Sequence, residues 1–122
     1  DQANVNVTLE VGASFKEEQA WRLLSSIVLT YFDVLENSDS QTGYLRTAWA
    51  IKSWGDNNEV VIRSRIIVKR MSDSPLRYTI KIVSEVNKAP GVSVKEDENF
   101  APWDRVLNSY KDVISEAQSR LK

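Results

Sequence analysis

The sequence predicts a single α+β domain in which two helices pack on one face of an antiparallel sheet of four or five strands. Several segments alternate apolar and polar residues with a period of two, and two others repeat apolar residues every three or four positions. The connections between consecutive strands are short, which favours antiparallel pairing. Because each helix carries one apolar stripe, we expect both helices on the same sheet face, in the order β-α-β-β-β-β-α.

The composition limits the chemistry that this chain can perform. Its 122 residues are 42% hydrophobic and 27% charged, which suits one globular domain spanning 1–122. The chain contains neither Cys nor His, which excludes disulfides, thiolate nucleophiles and imidazole catalysis. A zinc site would need carboxylates alone, so we expect no metal and no cofactor. The 16 basic and 17 acidic residues give a net charge of -1, which excludes a basic protein overall but not a basic face.

The N-terminal part predicts a strand followed by a helix. Residues 1–4 are polar and are interpreted as a tether, and residues 5–11 then alternate as a half-buried strand. Ser14 and Glu17 have the spacing of a capping box, so a helix is expected to begin there and to run to about Phe32. The residues of its apolar stripe are Ala20, Leu24, Ile27, Val28 and Tyr31.

The middle of the chain predicts four strands. Residues 32–35 form a short strand, and the turn-forming residues of 36–43 connect it to a strand over 44–54. Two further strands follow over 60–70 and 76–85. In the strand 44–54, one row comprises Leu45, Thr47, Trp49 and Ile51, and the other comprises Arg46, Ala48, Ala50 and Lys52.

The C-terminal part predicts an irregular loop and then a helix. The loop spans 87–101 and contains the acidic run 96–98, and Pro102 suits the first turn of a helix. The apolar residues of that helix are Trp103, Val106, Tyr110, Val113, Ala117 and Leu121. Glu96, Asp97 and Glu98 are adjacent in a loop, whereas a carboxylate pair for hydrolysis must be held rigidly across a cleft. An enzyme using these acids is therefore the weakest hypothesis, and we expect no catalytic residues.

Residues 15–54 resemble a known family. The segment Ala20-Trp21-Arg22-Leu23-Leu24 opens a helix that runs into Tyr31-Phe32-Asp33-Val34, a turn then ends at Gly43, and the aromatic strand 44–49 follows. This succession resembles the repeated domain of the BamC lipoprotein of the outer-membrane barrel-assembly machinery. The resemblance implies a helix-on-sheet domain in the bacterial envelope with a scaffolding role and no catalysis, and it identifies no binding residues here.

The predicted partner surface is a basic stripe on the sheet face opposite the helices. The alternation places six cations there, and few acids share the face: Arg46, Lys52, Arg63, Arg65, Lys69 and Lys81. Such a stripe could hold an anionic envelope component or an acidic protein surface. Lysines and arginines on exposed strands also protect sheets against aggregation. Nucleic acid is not expected, because the predicted aromatic positions lie on the inner rows.

The predicted pocket belongs to a second functional class. Two helices over a curved sheet can enclose a cavity, and its lining here would be Tyr31, Trp49, Tyr78 and Tyr110. The main hypothesis is a non-catalytic envelope domain that binds or scaffolds other components, located in the bacterial periplasm or at the outer-membrane periphery. The alternative is a carrier of a small apolar ligand. In either case, contact with a membrane is expected only through a lipid anchor encoded upstream.

Overall fold

The computed structural model describes residues 4–54, 60–87, 100–103 and 106–122, which form two helices and one antiparallel sheet. The α+β class is confirmed, but the sheet has seven strands rather than four or five. The elements in chain order are β1 (Asn4–Glu10), α1 (Glu17–Tyr31), β2 (Leu35–Asp39), β3 (Tyr44–Thr47), β4 (Ala50–Trp54), β5 (Val60–Asp73), β6 (Leu76–Asn87), β7 (Ala101–Pro102) and α2 (Asn108–Arg120).

Two long strands form the centre of the sheet. The strand order is β1-β6-β5-β3-β2, with β4 also paired to β5 and β7 paired to β6. The central strands β5 and β6 contain 14 and 12 residues and pair along nearly their whole length. A residue on β5 or β6 therefore has neighbours on both sides, whereas β1 and β2 lie at the edges.

Helix α1 begins three residues after the predicted cap. Its N-cap is Lys16, whose amide donates to Oε1 of Gln19 at 3.0 Å, so the capping box predicted from Ser14 and Glu17 is wrong. The predicted stripe is correct in its main part: Ala20, Leu24, Ile27 and Val28 are buried. The helix ends where the Phe32 amide donates to the Val28 carbonyl at 2.9 Å.

Strand β2 lies in the segment predicted as a turn. The strand covers Leu35–Asp39 rather than 32–35, and four of its five residues are exposed. Because β2 is an edge strand with little burial, its polar sequence carries no alternation that would reveal it. The true turn is shorter: the Asp39 carboxylate accepts the Gln41 amide at 2.9 Å, and Gly43 closes the hairpin with a φ of 73°.

A one-residue irregularity separates β3 from β4, and it divides the single strand predicted over 44–54. Arg46 pairs with Ile67, whereas Ala50 pairs with Ser64. The segment 46–50 therefore advances by four residues while the paired segment of β5 advances by three, so the extra residue lies between β3 and β4. Since successive strand side chains point to opposite faces, this extra residue places each side chain of β4 on the face opposite to the one that an unbroken strand over 44–54 would give it.

The segment before α2 contains a strand instead of the start of a helix. Ala101 and Pro102 pair with Val86 and Glu85, and α2 begins only at Asn108. Pro102 has no amide to donate, which suits a position on an edge strand. Asn87 ends β6, so it does not belong to the predicted loop 87–101; residues 88–99 of that loop lie outside the described residues.

The hydrophobic core lies between the two helices and one face of the sheet. The rings of Phe32 and Tyr110 stack there with centroids 4.7 Å apart. The side chains with the largest buried volumes are Tyr78, Phe32, Leu24, Ile27, Leu45, Ile66, Ile80, Ile82 and Leu121. Because both helices cover this face, the opposite face is left for other contacts.

Candidate functional site

The candidate site is the sheet face opposite the helices, which we call the uncovered face. Within the described ranges, no helix lies on it. Its residues alternate with the core residues along β1, β3, β5 and β6. They are Asn6, Thr8, Tyr44, Arg46, Arg65, Ile67, Lys69, Thr79 and Lys81, with Trp49 and Arg63 at one end.

Arg63 is held in a cluster of aromatic rings and a carboxylate. Its guanidinium lies 4.3 Å from the ring centroid of Trp49 and 4.1 Å from that of Phe100. Its Nε and Nη2 donate to Oε1 of Glu85 at 2.8 and 2.5 Å. Only 6% of Arg63 is exposed, so this predicted surface cation is in fact a buried structural group.

The neighbouring arginines are also paired. Nη2 of Arg46 lies 2.7 Å from Glu36, and Nη2 of Arg65 lies 3.4 Å from the same carboxylate. Arg65 also stacks on Trp49, with its guanidinium 4.2 Å from the ring centroid. Sequence analysis missed Glu36 as a partner because it lies in the segment predicted as a turn.

Lys52 does not belong to the uncovered face. It follows the irregularity between β3 and β4, and its Nζ lies 5.7 Å from the ring centroid of Tyr110 on α2. The prediction that placed Lys52 opposite the helices is therefore wrong. Ile51 takes the outward position instead, beside Arg63, and 51% of Ile51 is exposed.

The predicted pocket residues do not surround one cavity. Trp49 lies on the uncovered face, whereas Tyr78 and Tyr110 are buried in the core on the other side of the sheet. Burial raises the pKa of Tyr78 and that of Tyr110 above the ordinary value of tyrosine. Tyr31 is half-buried, and its hydroxyl donates to Oε1 of Glu116 at 3.4 Å.

A groove that sequence analysis did not predict runs along α1. Its volume is about 800 Å³, and it lies between α1 and the β2–β3 hairpin. Trp21 and Leu29 supply its apolar surface, while Glu18, Arg22 and Ser38 are among its polar residues.

A second, smaller hollow lies within the uncovered face. Its volume is about 260 Å³, and four neighbouring strands contribute its walls. The residues that line it are Asn6, Tyr44, Ile67, Lys69, Thr79 and Lys81. The structure thus brings together Lys69 and Lys81 of the predicted stripe and adds four residues to them. The alternation of Asn6 and Thr79 with apolar neighbours was visible in the sequence and could have placed both on this face.

Other candidate features are absent from the described part of the chain or lie outside it. The acidic run Glu96, Asp97 and Glu98 falls outside the described residues. Over the described ranges, no group of three or more acidic, His or Cys side chains could hold a metal ion. The two described helices are too short to cross a bilayer as apolar spans.

Comparison with known proteins gives a likeness of fold. No family model matches the chain, and no curated protein matches it. The chain is similar to the crystal structure of a TBP-like protein from Parabacteroides distasonis, with a TM-score of 0.55 and 10% sequence identity. The match covers 98% of this chain and 94% of that one. At this identity the similarity concerns the arrangement of helices and strands.

Proposed function

We propose that this protein is a non-catalytic binding domain of the bacterial cell envelope. Its uncovered face would hold a partner protein or an anionic envelope component, consistent with the BamC-like succession of residues 15–54. The observation that carries this proposal is that both helices pack on one side of the sheet. On the other side, Lys69 is exposed on β5 near β3 and Ile51 is exposed on β4 beside Arg63, so the face carries both charged and apolar surface, which suits protein contacts.

A site-specific photocrosslinking experiment tests the surface. A photoreactive amino acid replaces Thr8 or Ile51 on the uncovered face, and Ser115 on α2 serves as the matched exposed control. In cells that produce the natural full-length protein with these replacements, we expect one discrete adduct from the first two positions and none from Ser115. Identical adducts from all three positions, or none from Thr8 and Ile51, would contradict the proposal. Fractionation of the same cells tests the envelope location.

A second candidate function, a small-ligand carrier, is supported by the groove along α1. Its volume of about 800 Å³ is in the range of small-molecule sites. The groove lies at a different place from the predicted tyrosine pocket. Because Trp21 lines it, an environment-sensitive apolar dye that enters the groove should change the tryptophan emission. Leu29→Lys should abolish that change, and dye binding that survives L29K would exclude the groove as a carrier site.

A further inference from the structure

Two lysines of the uncovered face differ from its arginines because their side chains have no partner among the described residues. Arg46, Arg63 and Arg65 each lie within salt-bridge distance of a glutamate, and so does Arg77, which lies two residues before Thr79 on β6. In the described part of the chain, by contrast, the side chains of Lys69 and Lys81 make neither a hydrogen bond nor a salt bridge. The described acids near the face, Glu10, Glu36 and Glu85, are paired with arginines, so none of these three carboxylates neutralises the two lysines.

The sheet register brings these two lysines to one place. Lys69 on β5 pairs with Thr79 on β6, and Lys81 lies two residues beyond Thr79 on the same face. Diagonal neighbours of this kind have Cα atoms roughly 7–8 Å apart, which long side chains span easily. Both ammonium groups can therefore reach a single anion above the hollow.

The position of the lysines argues against the usual explanation for lysine in a sheet. Lysines protect sheets against edge-to-edge pairing when they lie on edge strands. Lys69 and Lys81 lie on β5 and β6, which are the two central strands. Two like charges at diagonal positions on central strands repel each other, and an anion bound between them would relieve that repulsion.

The other walls of the hollow supply hydrogen-bond donors and a small apolar area. Asn6 pairs with Lys81 across β1 and β6, and Tyr44 pairs with Lys69 across β3 and β5. The amide of Asn6 and the hydroxyl groups of Thr79 and Tyr44 can donate to oxygen atoms. None of the described residues that line the hollow is a carboxylate, so both charged groups among them attract an anion.

We propose that this hollow binds the phosphate group of a small phosphate ester, with Lys69 and Lys81 as the charged contacts. Its volume of about 260 Å³ lies just below the range for drug-sized ligands and leaves room for a glycerol or a small sugar beside the phosphate. This proposal rests on the proposed function and specifies it, because it names the chemical group that the uncovered face would bind. A soluble phosphate ester presents this phosphate as a monoester and a phospholipid headgroup presents it as a diester, and both offer anionic oxygen atoms to the lysines.

An NMR titration tests the site directly. Inorganic phosphate and glycerol 3-phosphate are added at constant ionic strength to the isotope-labelled protein. We expect the amide signals of the hollow residues on β1, β3, β5 and β6 to shift and to saturate at millimolar concentration. In the variant Lys69→Gln/Lys81→Gln, the affinity should fall by at least tenfold, the factor for losing one charge-assisted contact. The control Lys111→Gln/Lys122→Gln removes two exposed lysines and should bind like the unaltered protein.

Vesicles distinguish the source of the phosphate. If the protein binds phosphatidylglycerol vesicles but not phosphatidylcholine vesicles, and K69Q/K81Q abolishes this binding, the ligand is a lipid headgroup. If vesicles are not bound while glycerol 3-phosphate is, the ligand is a soluble ester. Unchanged amide signals at the hollow, or an equal loss in the Lys111 and Lys122 control, would overturn the proposal. That result would leave photocrosslinking at Thr8 and Ile51 unaffected, so the two proposals can fail separately.

Discussion

Replacement of Arg63 by Ala should destabilise the protein strongly, although the residue was predicted as part of a partner surface. The substitution removes two contacts between a guanidinium and an aromatic ring, at 4.3 Å and 4.1 Å. Each is worth about 1 kcal/mol when partly desolvated. It also leaves Glu85, whose side chain is 24% exposed, without its charged partner, which adds about 1–2 kcal/mol.

The expected loss in the free energy of unfolding is therefore about 3–4 kcal/mol, which agrees with the cost of breaking a buried ion pair from one side. For a domain of this size it corresponds to a fall in Tm of roughly 10–15 °C. Urea and thermal unfolding, followed by circular dichroism, measure both quantities.

Arg65→Ala is the matched control because Arg65 lies on the same strand and stacks on the same tryptophan. Arg65 loses one contact with a ring instead of two, and its carboxylate partner is 3.4 Å away and 42% exposed, so we expect a loss of only about 1–2 kcal/mol. A double variant, Arg63→Met/Glu85→Met, should recover part of the stability because it removes both charges together. Equal losses for R63A and R65A, or a loss below about 1 kcal/mol for R63A, would refute this explanation.

Three further predictions concern the hairpin turn and the buried tyrosines. Gly43→Ala should cost about 2–3 kcal/mol in unfolding free energy, because φ is 73° and the new Cβ would lie 2.3 Å from Cβ of Arg70; urea unfolding against the exposed control Thr42→Ala measures this, and a neutral G43A would contradict it. Tyr78→Phe should leave stability unchanged or raise it by about 1 kcal/mol, since no described residue meets the geometry of a hydrogen bond with the buried hydroxyl; a clear fall in Tm would contradict this prediction. Finally, stability should fall as the pH rises above about 10, because burial raises the pKa of Tyr78 and Tyr110 and the unfolded chain therefore loses these protons first. Urea titrations between about pH 8 and pH 11 should show a shallower decline for Tyr110→Phe, and an equal decline in both proteins would contradict this assignment.

Periodicity predicted the parts of the fold in which one face is buried and the other is not. The stripe of α1 and the alternation of β5 both follow this pattern, and the structure confirms Leu24 and Ile66 as buried. Strand β2 escaped prediction because an exposed edge strand needs no apolar residues. Strand β7 contains two residues, which is too short for any period to be recognised.

The sequence predicted the face of a candidate site residue correctly where the alternation of its strand continues without an extra residue. Lys69 and Lys81 lie on uninterrupted strands, and the structure places them on the predicted face. Lys52 and Trp49 were misplaced because a one-residue shift in pairing leaves no mark in composition. The pairing of arginines with Glu36 and Glu85 depends on contacts between residues 10 to 29 positions apart, and a single sequence does not specify which carboxylate meets which cation.

The irregularity between β3 and β4 also determines how libraries of variants should be designed for this segment. Up to Thr47, odd-numbered positions face the core, whereas from Ala50 onward even-numbered positions face the helices. A library that randomises alternate positions from 44 to 53 under one rule would vary the uncovered face in one half of the segment and the side facing the helices in the other half. Two libraries, one up to Ala48 and one from Trp49 onward, should therefore vary even-numbered positions in the first and odd-numbered positions in the second. Both would then sample the uncovered face and leave the side that faces the helices unchanged.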